Sequence, residues 1–181
     1  GGKAKLVYVA DNADPLRKVY PFLDEGKYKE LVGFPLAEIP APRGNESYDQ
    51  YFLRPFFEAL ERVGVYPEVV NNYQFYQEGK FEECTKRIID QTETARKILE
   101  TVSGRQLPKN WFPWTFKNND GKLCTGKVTK YDWPYVTFEN DNGEEVTNNM
   151  AKGEGKLPWR LDWPSKWKVL GVTFEAFGKD H

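Results

Sequence analysis

The spacing of apolar positions changes repeatedly along this chain, and each change predicts an element. AKLVYVA at 4–10 is continuously apolar and rich in β-branched and aromatic residues, the pattern of a strand covered on both faces in a parallel sheet. It runs into DNADPLRK, a polar turn carrying Asp11, Asp14 and Pro15. Loops at the carboxyl ends of such strands are where open α/β sheets place ligands. Residues 21–45 are rich in Pro and Gly and predict a long connection of the functional or lid kind. In SYDQYFLRPFFEALERVG (47–64), Phe52, Phe56, Leu60 and Val63 fall on one helical face, Ser47 with Gln50 forms a candidate capping box, and Gly64 suits the stop. Pro55 conflicts with that pattern, so the helix either kinks there or starts there.

VYPEVV (65–70) predicts a second strand. KFEECTKRIIDQTETARKILETVSG (80–104) predicts one long amphipathic helix, with Phe81, Cys84, Ile88, Ala95, Leu99 and Val102 as its stripe and Gly104 as its terminator. From 108 the texture changes to short strand-like runs divided by N-N-D-G and N-D-N-G, which are hairpin signals. A small antiparallel insertion is expected over 108–157. DWPSKWKVLG then predicts a short helix with Pro164 in its first turn, VTFEAF another strand, and GKDH the loop leaving it. The fold expected is α/β: a partial Rossmann-type parallel sheet with flanking helices over 1–107, the β insertion at 108–157, and a return to the first domain at 158–181.

Composition narrows the partners. The formal charge is −1 with a pI near 6.0, which excludes a uniformly basic nucleic-acid coat and leaves room for a local basic patch. No apolar run reaches the roughly 18–20 residues needed to span a bilayer. Cys84 and Cys124 form no C-x-x-C pair, so a reduced, cytoplasmic protein is expected, without a zinc site built from these two. Cys84 lies on a helical stripe and reads as a small core residue.

The candidate chemistry concentrates at the carboxyl end, WRLDWPSKWKVLGVTFEAFGKDH (159–181). Trp159, Trp163 and Trp167 recur every four residues, which puts them on one face of a helix. A packing stripe accounts for two of the three, and Trp159, the one before the proline, is the candidate to face a pocket. Asp162 reads either as a helix cap or as a site carboxylate. His181, the only histidine in the sequence, follows a strand end beside Lys179 and Asp180, a placement open to function.

This terminal stretch resembles the class I lysyl-tRNA synthetases, whose form is W-R-x-D-W-P…G-V-x-F-E-P-x-G-K-D-H. Trp159, Arg160, Asp162, Trp163, Pro164, Gly171, Val172, Phe174, Glu175, Gly178, Lys179, Asp180 and His181 stand at the matching places, and Ala176 replaces the usual proline. The resemblance extends to DNADPLRKV, to IPAPRGNESYDQYF and to LPKNWFPW, and so covers nearly the whole chain. It implies a Rossmann-type catalytic domain that activates lysine with ATP and Mg2+ and passes it to tRNA(Lys).

By the same resemblance Trp159 and His181 line the lysine pocket, since an aromatic wall can hold both the stem and the cation of lysine. Asp162 and Asp180 become electrostatic partners for an ammonium. Glu46, Ser47 and Tyr48 would lie near substrate or the tRNA terminus, and Arg17, Lys18 and Lys179 would suit phosphate contacts. Two departures matter. Cys124 stands alone in the insertion, so no zinc is expected there and Trp111, Trp114, Trp133 and Tyr135 are expected to hold it together. The ATP motifs of the H-I-G-H and K-M-S-K-S types are expected outside residues 1–181, which leaves no catalytic residue within the chain and predicts no adenylate formation by the chain alone. The sheet would then lack its first strand, which predicts self-association through an open edge. Two other readings compete. One is a non-catalytic tRNA- or RNA-binding module stacking bases on the insertion's aromatics, and the other is a small-ligand or carbohydrate module using the tryptophans.

Overall fold

Residues 3–176 and Gly178 are described by the computed structural model. Their contacts divide them into two units, the described residues of Gly1–Glu78 with Lys117–Cys124, and those of Gly79–Phe116 with Thr125–His181.

The first unit is built on two parallel strands, β1 (Val7–Ala10) and β2 (Glu68–Asn71), in register from Val7 opposite Glu68 to Ala10 opposite Asn71. Two strands bury little by themselves. Of β1 only Ala10 is buried, and of β2 only Val70. Between them run a short helix, α1 (Glu25–Tyr28), and the long α2 (Tyr48–Arg62). The connection expected to be an open loop is packed instead. Leu16, Leu23, Tyr28, Ile39 and Tyr48 form a buried cluster, and the Tyr28 hydroxyl donates to the Pro40 carbonyl at 2.8 Å. The aromatic and branched residues of this cluster let the Pro-rich stretch fold onto the start of α2 without long elements of its own.

α2 begins as its capping box predicts, with the Ser47 N–H donating to Gln50 Oε1 at 3.3 Å. It runs unbroken through Pro55, which is exposed, so the missing N–H leaves the Tyr51 carbonyl without its helical donor while the ring itself lies at the surface. The predicted apolar face corrects differently. Phe52, Phe56 and Val63 are 39, 42 and 72% exposed, and their support comes from ring contacts of Phe52 with Phe22 and Tyr48, and of Phe56 with Tyr8. β2 leads into α3 (Asn72–Gln77).

In the second unit the long helix divides at Gln91 into α4 (Glu82–Asp90) and α5 (Thr92–Ser103). Thr92 Oγ1 donates to the Ile89 carbonyl at 2.7 Å, and Gln91 takes φ −116°, ψ 32°. A side chain that captures a local carbonyl competes with helix continuation, and D-Q-T at 90–92 supplies no apolar contact to oppose it. Gly104 closes α5 in the left-handed region, as predicted.

The insertion forms hairpins where the N-N-D-G and N-D-N-G turns predict them. β3 (Thr115–Lys117) pairs antiparallel with β8 (Gly155–Lys156), and β5 (Lys127–Asp132), β6 (Tyr135–Glu139) and β7 (Glu145–Asn149) make an antiparallel meander. β4 (Leu123–Cys124) follows the N-N-D-G turn at 118–121, in the first unit. At that turn Asn118 Oδ1 accepts from the N–H groups of Asp120 and Lys122, and in the β6–β7 hairpin Asn140 Oδ1 accepts from Asn142 and Glu144. Of the four aromatics expected to hold the insertion, Trp114 is buried, whereas Trp111 and Trp133 are half-buried and Tyr135 is exposed. The core is made by Phe116 stacked on Phe138 at 4.1 Å with Val136, Val146 and Met150, because these positions lie on the inner face set by the β6 register.

α6 (Trp159–Leu170) starts before the expected Asp162 and carries Pro164 inside it. Residues 172–176, expected as a strand, form none, and Phe174 is exposed; no partner strand among the described residues satisfies their backbone. The chain is thus α/β, with two parallel strands, antiparallel sheets and flanking helices.

Candidate functional site

In the first unit the carboxyl ends of β1 and β2 gather the polar side chains. Asn12, two residues past Ala10, is buried; its Nδ2 donates to Asp49 Oδ2 at 2.7 Å and its Oδ1 accepts the Tyr73 N–H at 2.9 Å. Ser47 Oγ donates to the other Asp49 oxygen at 2.5 Å. Glu46 holds Arg54 at 2.7 Å. These residues head an open groove of about 670 Å3, which continues between α2 and β2 past Leu53, Phe57, Tyr66 and Val69.

Beside them Glu38 Oε1 accepts from the Tyr73 hydroxyl and from Lys117 Nζ, both at 2.5 Å. Burial chiefly, then the hydrogen bond to Glu38 and its charge, push the Tyr73 phenol far above its ordinary pKa. Asn72 is fully buried, and neither end of its amide has a hydrogen-bond partner among the described residues.

Glu46, Ser47 and Tyr48 are therefore placed at the mouth of α2, close to the strand ends. Arg17 and Lys18 are exposed; Arg17 reaches Asp14 at 3.4 Å and Lys18 lies over the Tyr20 ring at 5.5 Å.

In the second unit Trp159 and Trp163 lie one turn apart on α6, ring centroids 6.3 Å apart, and Trp159 is flanked by the Arg160 guanidinium at 5.9 Å. Asp162 is not the helix cap, which is Pro158. Its carboxylate is fully buried, 2.8 Å from Lys166 Nζ and 3.6 Å from Lys156 Nζ. Lys166 also lies over the Trp163 ring at 5.0 Å. The aromatic-plus-carboxylate grip expected for a substrate ammonium is thus made, at Asp162, around the chain's own lysines. Trp167 Nε1 donates to Glu175. His181, Asp180 and Lys179 lie outside the described residues.

Sequence reasoning missed Asn12, Asp49, Asn72 and Lys166. Asn12 sat in plain view in the loop after a strand, and Lys166 stands four residues after Asp162, the spacing of a helical ion pair. Asp49 gave no signal, because a polar residue in the first turn of an amphipathic helix reads as solvated. No group of three or more His, Cys, Asp or Glu among the described residues is placed to hold a metal ion, and no described helix is long and apolar enough to cross a membrane.

Comparison with known proteins bears on the whole chain. It is 46% identical to lysine–tRNA ligase 1 of Methanosarcina acetivorans over 185 residues, covering 100% of this chain and 34% of that protein. It is 47% identical to the lysine–tRNA ligase of Methanosarcina barkeri over the same coverage, and 42% identical to that of Archaeoglobus fulgidus, of which it covers 37%. The chain therefore spans about a third of the length of these curated relatives. The family described as tRNA synthetases class I (K) matches residues 1–181, so the chain belongs to the class I tRNA synthetases of the K group.

Proposed function

We propose that this chain is the part of a lysine–tRNA ligase that supplies one wall of the lysine site and the insertion facing tRNA, within an enzyme using ATP to activate lysine and charge tRNA(Lys). The observation that carries the reading is similarity over the full chain to proteins named lysine–tRNA ligase. The two parallel strands, with polar side chains at their carboxyl ends, support a Rossmann-type sheet as the larger framework. Trp159, half-buried beside Trp163, has the geometry of an aromatic wall for an aliphatic cation. His181 and Asp180 complete the pocket in this reading, and Lys179 joins Arg17 and Lys18 as phosphate contacts. Mg2+ would arrive with ATP. The enzyme would act in the cytoplasm, and the free edges of the β1–β2 sheet would favour self-association of this chain.

The test is lysine-dependent pyrophosphate exchange by the intact ligase that contains this sequence. Trp159→Ala should raise KM for lysine by about 3- to 30-fold, the size of a cation–π contact, with KM for ATP unchanged. Equal effects on both substrates, or none, would remove Trp159 from the lysine site. No exchange by the unmodified enzyme would remove the ligase reading itself.

A further inference from the structure

The polar residues at the strand ends form a chain of bonds that no motif announced. The Tyr73 N–H, at the start of α3, donates to Asn12 Oδ1; Asn12 Nδ2 donates to Asp49 Oδ2; and Ser47 Oγ donates to Asp49 Oδ1. The Asn12 carbonyl also accepts the Ala37 N–H at 3.0 Å. Asn12 is 2% exposed, so the bonds it makes are shielded from water. The side chain of one residue therefore ties the end of β1 to the first turns of α3 and α2, and its backbone carbonyl ties in the turn at 36–38.

We propose that Asn12 is a positioning residue, which fixes the 46–48 segment at the strand ends by acting through Asp49. The inference rests on the ligase reading, in which that segment lies near substrate. Only an amide fits position 12 as the fold stands. It must accept at one end and donate at the other, from a planar group. A carboxylate there would face the Asp49 carboxylate, and an apolar side chain would leave the Tyr73 N–H and an Asp49 oxygen without their partner. Glu46 is carried along, since its ion pair with Arg54 spans the first two turns of α2.

The bond chain can be reversed without losing a member. In Asn12→Asp combined with Asp49→Asn, the new carboxylate at position 12 accepts from the Tyr73 N–H and from the new amide at position 49. The oxygen of that amide takes the Ser47 hydroxyl.

In the intact ligase, Asn12→Asp should lower kcat of lysine-dependent pyrophosphate exchange by about 100-fold per folded molecule, the cost of roughly an ångström of misplacement. Adding Asp49→Asn should restore it to within about threefold. Hydrogen exchange at the Tyr73 amide should quicken in the single variant and return in the double. Two results would overturn the proposal: a double variant no faster than the single, or a single variant with lowered melting temperature but unchanged kcat and KM per folded molecule. If the unmodified enzyme shows no lysine-dependent exchange, the ligase reading falls and the positioning role falls with it. The Tyr73 amide still decides separately whether the bond chain exists.

Discussion

Two buried aspartates, one in each unit, are held by opposite means. Asp49 in the first unit receives neutral donors, an amide at 2.7 Å and a hydroxyl at 2.5 Å. Asp162 in the second sits between two ammonium groups at 2.8 and 3.6 Å, and both Lys166 and Lys156 are buried with it. Neutral donors satisfy a carboxylate directionally, and the site can be rewired by exchanging amide for acid. Two buried lysines commit the position to a negative charge, because removing it strands cations away from water. The first arrangement suits a residue that sets geometry, and the second holds α6 to β8.

This contrast can be broken at several points. The largest effect is expected at Asp162. Asp162→Asn should cost about 3–5 kcal/mol, the cost of breaking a buried ion pair, against about 1–3 kcal/mol for Asp49→Asn, whose donors are neutral. Urea denaturation of both variants reads the difference, and equal losses would erase the distinction. Replacing Lys156, Asp162 and Lys166 together by Met, Leu and Met should recover most of the loss, as apolar substitution of buried ion clusters often does.

A smaller change is expected at Asn72. It lies between Asn71, whose side chain caps α3, and Tyr73, whose N–H donates to Asn12, yet its own amide has no hydrogen-bond partner among the described residues. Asn72→Leu should leave stability unchanged or raise it by about 1 kcal/mol, since an unpaired buried amide carries a desolvation cost that an apolar side chain does not. A loss above about 3 kcal/mol would mean that the amide holds a bound water.

The smallest effect is confined to alkaline pH. The fold favours the protonated Tyr73 phenol through burial and Glu38. Above its ordinary pKa of about 10, the unfolded chain releases that proton while the folded chain keeps it. The contribution is therefore complete at neutral pH and is lost as pH rises above about 10. Tyr73→Phe should flatten this part of the decline in a pH series of denaturation midpoints.

Local patterns reached the hairpins and most helix ends. N-N-D-G and N-D-N-G predicted turns whose asparagines do make the closing bonds, and Gly104 stopped its helix in the left-handed region. Periodicity did less well where burial depends on what lies opposite. Phe52 and Phe56 keep helical spacing yet stay half-exposed, because β1 and β2 offer a narrow surface. The helix predicted over 80–104 divides because a single threonine captures a carbonyl, a local competition that a hydrophobic stripe does not register. Only the resemblance marks residues 46–48 as site residues, and it does not mark the asparagine that bonds to their neighbour Asp49.

The sequence by itself determined the family, the turn chemistry and the helical register of the three α6 tryptophans, because each is written in residue type and short spacing. Only the tertiary structure decided what the buried polar groups face. Asn12 and Asp49 are 37 positions apart, and Asp162 is paired from β8 as well as from its own helix. Hydrogen bonds and ion pairs act over about 3–4 Å in space whatever the separation along the chain, so composition and periodicity carry no record of them until the backbone brings the partners together.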